Sequence, residues 1–126
     1  MHKGFSMEYH IEHKRDLTDQ EIQILRRVLS MHDSDSYLEQ IDSLKIVARC
    51  GCGMCPTVFF GQCFEDEPVS NGIDLVQFQG VNADGEVVGV TVMALDGKLT
   101  ELEASSFSGG NISSWPPVEG LEAVNA

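Results

Sequence analysis

Apolar residues recur at helical spacing in one early stretch and at a spacing of two along most of the rest. Ile22, Leu25, Val28 and Leu29 share one face of a helix, with Ile24 and Met31 widening the stripe. Thr18 followed by Glu21 forms a capping box, Leu17 is placed to pack on Ile22, and Arg26 and Arg27 sit where the helix dipole favours positive charge. The spacing predicts a helix opening at Thr18, whose stripe is core packing. The segment His32 to Asp35 interrupts the pattern. Ser36 with Glu39 then repeats the capping-box spacing ahead of Leu38 and Ile41, which predicts a short second helix over Tyr37 to Asp42.

From Leu44 the period becomes two. Leu44, Ile46, Ala48 and Cys50 alternate with Lys45, Val47 and Arg49, the pattern of a half-buried strand with its first set on the core. Thr57 to Phe60 reads as its hairpin partner, with the intervening cysteines at the tip. Further strands are predicted over Ile73 to Val81, Val87 to Leu95 and Lys98 to Ser106, joined by turns at Asn82 to Gly85 and at Asp96-Gly97. Tyr9 to His13 reads as a short strand or an arm. The expected fold is α+β, with two N-terminal helices packed on one face of a mainly antiparallel, about five-stranded meander sheet. Residues 1–16 are expected to form the arm or short strand, 17–118 a single domain whose last stretch from Ser108 is anchored by Trp115-Pro116-Pro117, and 119–126 a disordered tail.

Charge narrows the partners. Eight basic against twenty acidic side chains give a net charge of −12, which repels nucleic-acid backbones and anionic membrane surfaces and suits a basic protein partner. No apolar run reaches the roughly 18 residues of a membrane span, and Met1 to His13 lack a signal peptide's apolar centre, so a cytoplasmic location is expected. In a reducing compartment, clustered cysteines point to metal or thiol chemistry more than to disulfides.

Three of the four cysteines fall in Arg49-Cys50-Gly51-Cys52-Gly53-Met54-Cys55-Pro56-Thr57. Cys52 and Cys55 have the Cys-x-x-Cys spacing of a zinc knuckle, and Cys50 offers a third thiolate. A straight strand of eight residues from Thr57, at about 3.3 Å each, would carry Cys63 roughly 26 Å away and exclude it as the fourth ligand. That position would fall to His10, His13 or His32, to a carboxylate or to water. Two other readings stay open. Cys52 and Cys55 would make a thiol–disulfide pair with Arg49 as the nearby cation, or Cys50 is a buried strand residue, Cys52 and Cys55 are turn residues, and Cys63 is packing.

Other constellations point to no chemistry. Glu65, Asp66 and Glu67 lack calcium-loop spacing and read as a solvated face. Glu101 and Glu103 share a strand face, as in any amphipathic strand, and no Lys-Ser/Thr follows Gly51 and Gly53 to make a phosphate loop. No catalytic set is assigned.

Leu17-Thr18, the Arg49 to Thr57 segment, Gly97-Lys98-Leu99-Thr100-Glu101-Leu102-Glu103 and Trp115-Pro116 together carry a resemblance. The chain resembles a group of small uncharacterised bacterial proteins with an Arg-Cys-x-Cys-Gly segment ending in Cys-Pro and a late Gly-x-Leu-x-x-Leu-Glu strand. Met54 makes the loop longer than the Cys-Gly-Cys-Pro form of that group. The resemblance implies an architecture and no activity.

The charge and the missing catalytic set lead to the expectation of a non-enzymatic protein-interaction module, of inhibitor or immunity type, that binds a basic partner. The alternative is a zinc-binding or thiol-dependent protein built on Cys50, Cys52 and Cys55.

Overall fold

Strand pairing, rather than helix packing, dominates the chain. The computed structural model describes residues 10–31, 35–110 and 112–124; Tyr9, the predicted interruption at 32–34 with His32, and the last two residues of the tail lie outside them. The elements are β1 (His10–Arg15), α1 (Asp19–Leu29), α2 (Asp35–Gln40), β2 (Lys45–Cys50), β3 (Val58–Gly61), β4 (Ile73–Val81), β5 (Val87–Leu95), β6 (Lys98–Ser106) and β7 (Glu122–Ala123). The strands form one seven-stranded sheet in the order β1-β2-β3-β6-β5-β4-β7, and every pairing is antiparallel.

This corrects the expected five-stranded meander carrying two N-terminal helices. The helices are short, a strand precedes them, and β3 pairs with β6 instead of β4. The reasons are physical. β1 reads HIEHKR and has almost no apolar alternation; its place comes from main-chain bonds to β2, which composition does not encode. Hairpin turns specify only sequential partners, whereas the chain between Gly61 and Ile73 is long enough to let β4 start elsewhere.

The helix start follows its sequence signal. The Thr18 hydroxyl accepts from the Glu21 N–H at 3.1 Å, and the Glu21 carboxylate accepts from the Thr18 N–H at 2.8 Å. Such a cap stabilises a helix by about 1 kcal/mol. Ile24, Leu25, Val28 and Leu29 are fully buried and, at roughly 1.5–3 kcal/mol each, hold α1 to the sheet far more strongly than the cap does. Met31 does not widen this stripe: it lies beyond the helix end and is 66 % exposed. Gln40 fastens α2 to the β5–β6 hairpin, its amide donating to the Gly97 carbonyl at 2.7 Å and accepting from the Leu99 N–H at 2.9 Å.

The main core lies between the helices and one face of the sheet, which contributes Ile46, Val58, Phe60, Phe78, Val90 and Leu102. Trp115 and Leu121 close its end, and the Arg27 guanidinium donates to the Leu121 carbonyl at 3.0 Å. In the segment beyond Val118, a 3-10 turn at Val118–Gly120 leads to β7, which pairs with β4.

Two bulges set what faces the other way. In β2, Ile46 pairs with Phe60 but Ala48 pairs with Phe59, so Val47 is an extra residue and the alternation changes phase there. Ile46 and Phe60 belong to the main core, while Val47, Ala48 and Phe59 form a small separate cluster. In β6, Leu99 pairs with Ala94 and Glu101 with Met93, leaving Thr100 as the extra residue. Each shift reverses the alternation after it, so that Ala48 and Cys50 in β2, and Glu101 and Glu103 in β6, fall on the face away from the main core while Leu102 stays in it.

Candidate thiol metal centre

The β2 bulge decides where the first cysteine points. Without it Cys50 would share the core face with Ile46, as the simple alternation predicts; with it, Cys50 follows Ala48 onto the opposite face and is only half-buried. The connection to β3 then folds tightly. The Gly53 N–H donates to the Cys50 carbonyl at 3.1 Å, and Gly53 itself has φ +75°, a left-handed conformation that a side chain would strain. Arg49 donates to the Gly53 carbonyl at 3.0 Å, and the Cys50 N–H closes the hairpin on the Thr57 carbonyl at 3.2 Å. On the exit side, the buried Thr57 hydroxyl accepts from the Ala104 N–H at 2.9 Å, which ties the loop to β6.

The result gathers three sulfurs. The thiol atoms of Cys50, Cys52 and Cys55 all lie within 4.8 Å of one another. A tetrahedral centre with metal–sulfur bonds of about 2.3 Å separates its sulfurs by roughly 3.8 Å, so small side-chain rotations bring the three onto one ion. The three cysteines are close enough together to hold a metal ion. The Cys52 sulfur accepts two backbone N–H bonds, from Met54 at 3.4 Å and from Cys55 at 3.2 Å. These donors stabilise negative charge on sulfur, the form in which a thiol ligates.

The thiols differ in acidity for visible reasons. The Cys55 and Met54 N–H groups, in that order, bring Cys52 down to about 7. Burial, helped by the neighbouring thiols, pushes Cys50 up to about 12. Cys52, the exposed one of these two, therefore ionises far more readily than Cys50, which stays protonated without a cation.

The other candidate ligands are elsewhere. Among the described residues, no fourth His, Cys, Asp or Glu joins the trio. His13 accepts a 3.0 Å bond from the Arg15 Nε on its Nε2, and its pKa is lowered, first by burial and then by Arg15 and Arg49. His10 packs edge-on against Phe59. Cys63 is neither in the cluster nor packed in a core: it is exposed, and its thiol donates to Asp66 Oδ1 at 3.2 Å. The straight strand assumed through Phe64 stops at Gly61, where the Asp66 carboxylate accepts from the Gln62 N–H at 2.7 Å and turns the chain. Asp66 thus organises a turn instead of merely facing solvent.

A cavity of about 460 Å³ opens beside the thiols. Cys50 and Cys55 form one wall, Glu101 and Glu103 another, and Phe59, Met93 and Ala104 the apolar remainder. Sequence pattern alone assigns these glutamates no role. Their shared face is legible in the alternation, but their burial is not, because it depends on the β6 bulge and on the chain around Ser70 that lines the same cavity. Glu101 is 7 % exposed, and burial, with Glu103 and Asp74 adding like charge, raises it to about 7. Glu103 is raised as well, by burial and then by Asp74.

Compared with known proteins, the chain matches no family model, no curated protein and no solved structure. Among the described residues, no helix is long and apolar enough to cross a membrane.

Proposed function

We propose that the protein is a zinc-binding module whose ion is held by the thiolates of Cys50, Cys52 and Cys55. The observation that carries this reading is the convergence of three sulfurs within 4.8 Å, one of them already receiving two backbone N–H bonds. Thiolates select zinc, copper(I) or iron–sulfur clusters over magnesium or calcium, and zinc needs neither a redox partner nor a particular ligand-field geometry. Three protein ligands leave the fourth position to water or to an added ligand, the arrangement of open zinc sites. The bound ion would polarise whatever occupies that position, while Thr57, Arg49 and Gly53 keep the thiol turn in shape.

Protein purified without chelators is expected to carry about one zinc per chain, with three thiols shielded from a thiol reagent until zinc is removed. Cys52→Ser should lose the metal, and Cys63→Ser should keep it. Metal-free protein that takes up no zinc on titration, with four reactive thiols, would overturn the reading.

A second reading, a non-enzymatic module that binds a basic partner, is supported by the net charge of −12. Its test is capture of a basic protein that weakens as salt rises. Binding indifferent to salt would remove its electrostatic basis.

A further inference from the structure

Buried carboxylates in folded proteins are paired or hydrogen-bonded, because an isolated one loses its hydration without compensation. Glu101 meets this rule only through solvent: among the described residues the one fully enclosed side-chain atom without a partner is the Thr100 hydroxyl, and the Glu101 carboxylate keeps the little contact with water that the cavity mouth allows. Glu101 is 7 % exposed, yet among the described residues nothing donates a hydrogen bond to its carboxylate and no cation pairs with it. Its electrostatic neighbours make matters worse. Glu103, two residues along the same face of β6, and Asp74, which pairs with Met93 across β5, both carry the same sign.

Three like charges near one cavity call for a cation, and the geometry says which kind. Among the described residues, the only group of three or more His, Cys, Asp and Glu side chains close enough to share one ion is the cysteine trio. The carboxylates of Glu101, Glu103 and Asp74 do not form such a group. A hard ion would also gain nothing from Phe59, Met93 and Ala104, which line the same space. The cavity, at about 460 Å³, falls within the roughly 300–1,000 Å³ of small-molecule sites. An extended cation with an apolar stem satisfies both walls: its charge lies between the glutamates and its methylenes lie on the apolar side.

We propose that the cavity between the cysteine turn and β6 binds an organic cation, a guanidinium or primary ammonium on a short aliphatic stem, through Glu101 and Glu103. The group reaches it either as an arginine or lysine side chain of a protein or as a free small amine. The proposal does not depend on zinc, since the carboxylates and the apolar wall are present whatever the thiols hold.

The test is titration at pH 8, above the value of about 7 to which Glu101 is raised, by calorimetry and by amide chemical-shift mapping. The probes are agmatine, the blocked tripeptide acetyl-Gly-Arg-Gly-amide, and acetyl-Gly-Gln-Gly-amide as the uncharged control. Each is measured on zinc-loaded and on chelated protein, at constant ionic strength. Saturable binding of agmatine or of the arginine peptide is expected, with shifts at Phe59, Met93 and Ala104 and none from the glutamine peptide. Glu101→Gln keeps the side chain's volume and should weaken binding at least tenfold; Glu103→Gln should weaken it less. Tighter binding of the peptide identifies a protein side chain as the source, and tighter binding of agmatine identifies a free amine. No saturation by about 10 mM in both metal states, or equal binding by wild type and a folded Glu101→Gln, overturns the proposal. Loss of zinc binding with retained agmatine binding would remove the metal reading alone.

Discussion

Arg15 and Glu21 meet through two parallel N–H···O bonds of 2.9 Å, which join the end of β1 to the first turn of α1. The same glutamate closes the capping box on Thr18, so one buried side chain serves a strand, a loop and a helix. Hydrogen bonding to Glu21 raises the Arg15 pKa, so the guanidinium keeps its charge throughout the ordinary pH range. Glu21→Ala should cost about 2–3 kcal/mol in urea unfolding, through loss of the cap and of the pair. Arg15→Met should cost about 2 kcal/mol, because Glu21 is then left buried without its partner while Arg15 itself is partly in solvent. A loss below about 0.5 kcal/mol in both variants would show that β1 docks independently of this pair.

Thiol reactivity should separate the cysteines sharply. In chelated protein, iodoacetamide is expected to modify Cys52 first, with a rate that rises through a midpoint near pH 7. Cys50, pushed up to about 12, should remain unmodified across the same range, and Cys63, raised chiefly by its bond to Asp66, should react more slowly than Cys52. Peptide mapping after brief labelling reads the order directly. Equal labelling of Cys50 and Cys52 at pH 7 would mean that the two N–H donors to the Cys52 sulfur are not formed in solution.

Glu101 gives stability a pH dependence of its own. Its folded pKa of about 7 lies above the unfolded value of 4.5, so the folded state binds more protons between those limits. The carboxyl therefore costs nothing below about pH 4.5, destabilises progressively as pH rises to about 7, and keeps a constant cost above that. The rise from 4.5 to about 7 corresponds to about 3 kcal/mol, and solvent screening in this partly open cavity reduces it to about 1–2 kcal/mol. Glu101→Gln should accordingly be more stable than wild type at pH 8 and lose that advantage at pH 4.5. Parallel stability curves for the two proteins from pH 4.5 to 8 would contradict the burial of this carboxyl.

Much of the local structure is legible in the residues themselves. The capping box fixes where α1 begins, and the turns at Asn82 to Gly85 and Asp96-Gly97 bound three strands whose limits match their hydrophobic runs. The hairpin pairings β2–β3, β4–β5 and β5–β6 follow as expected; what escapes is the pairing of strands not joined by a hairpin and the phase within a strand. No side-chain pattern marks β3 for β6, because that pairing is made by backbone groups identical in every strand. Val47 and Thr100 look like ordinary alternating residues, yet each is a bulge that reverses the faces after it. The cysteine spacing therefore announces a cluster, while its opening toward Glu101 depends on two one-residue irregularities that a period-two reading passes over.

The segment from Trp115 to Leu121 is part of the core, and single substitutions there should show it. Leu121 is 1 % exposed and packs with Phe78 and Trp115 in the main cluster, so Leu121→Ala should cost about 2–4 kcal/mol. Gly80, on β4, lies directly under this segment: a Cβ there would come within 2.8 Å of the Pro116 Cβ and 3.2 Å of Leu121 Cδ2. Those atoms belong to a ring and a fully buried side chain, which cannot swing aside, so Gly80→Ala should push the segment off the sheet and cost about 1–3 kcal/mol. Val124→Ala, at an exposed position, should change stability by less than about 0.5 kcal/mol. Because Gly80 and Leu121 act through one contact, the double variant should cost less than the sum of the singles. Urea unfolding of the four proteins decides the matter: neutral effects at Leu121 and Gly80 alike would mean that residues after Trp115 do not dock, and β7 would then be no part of the folded sheet.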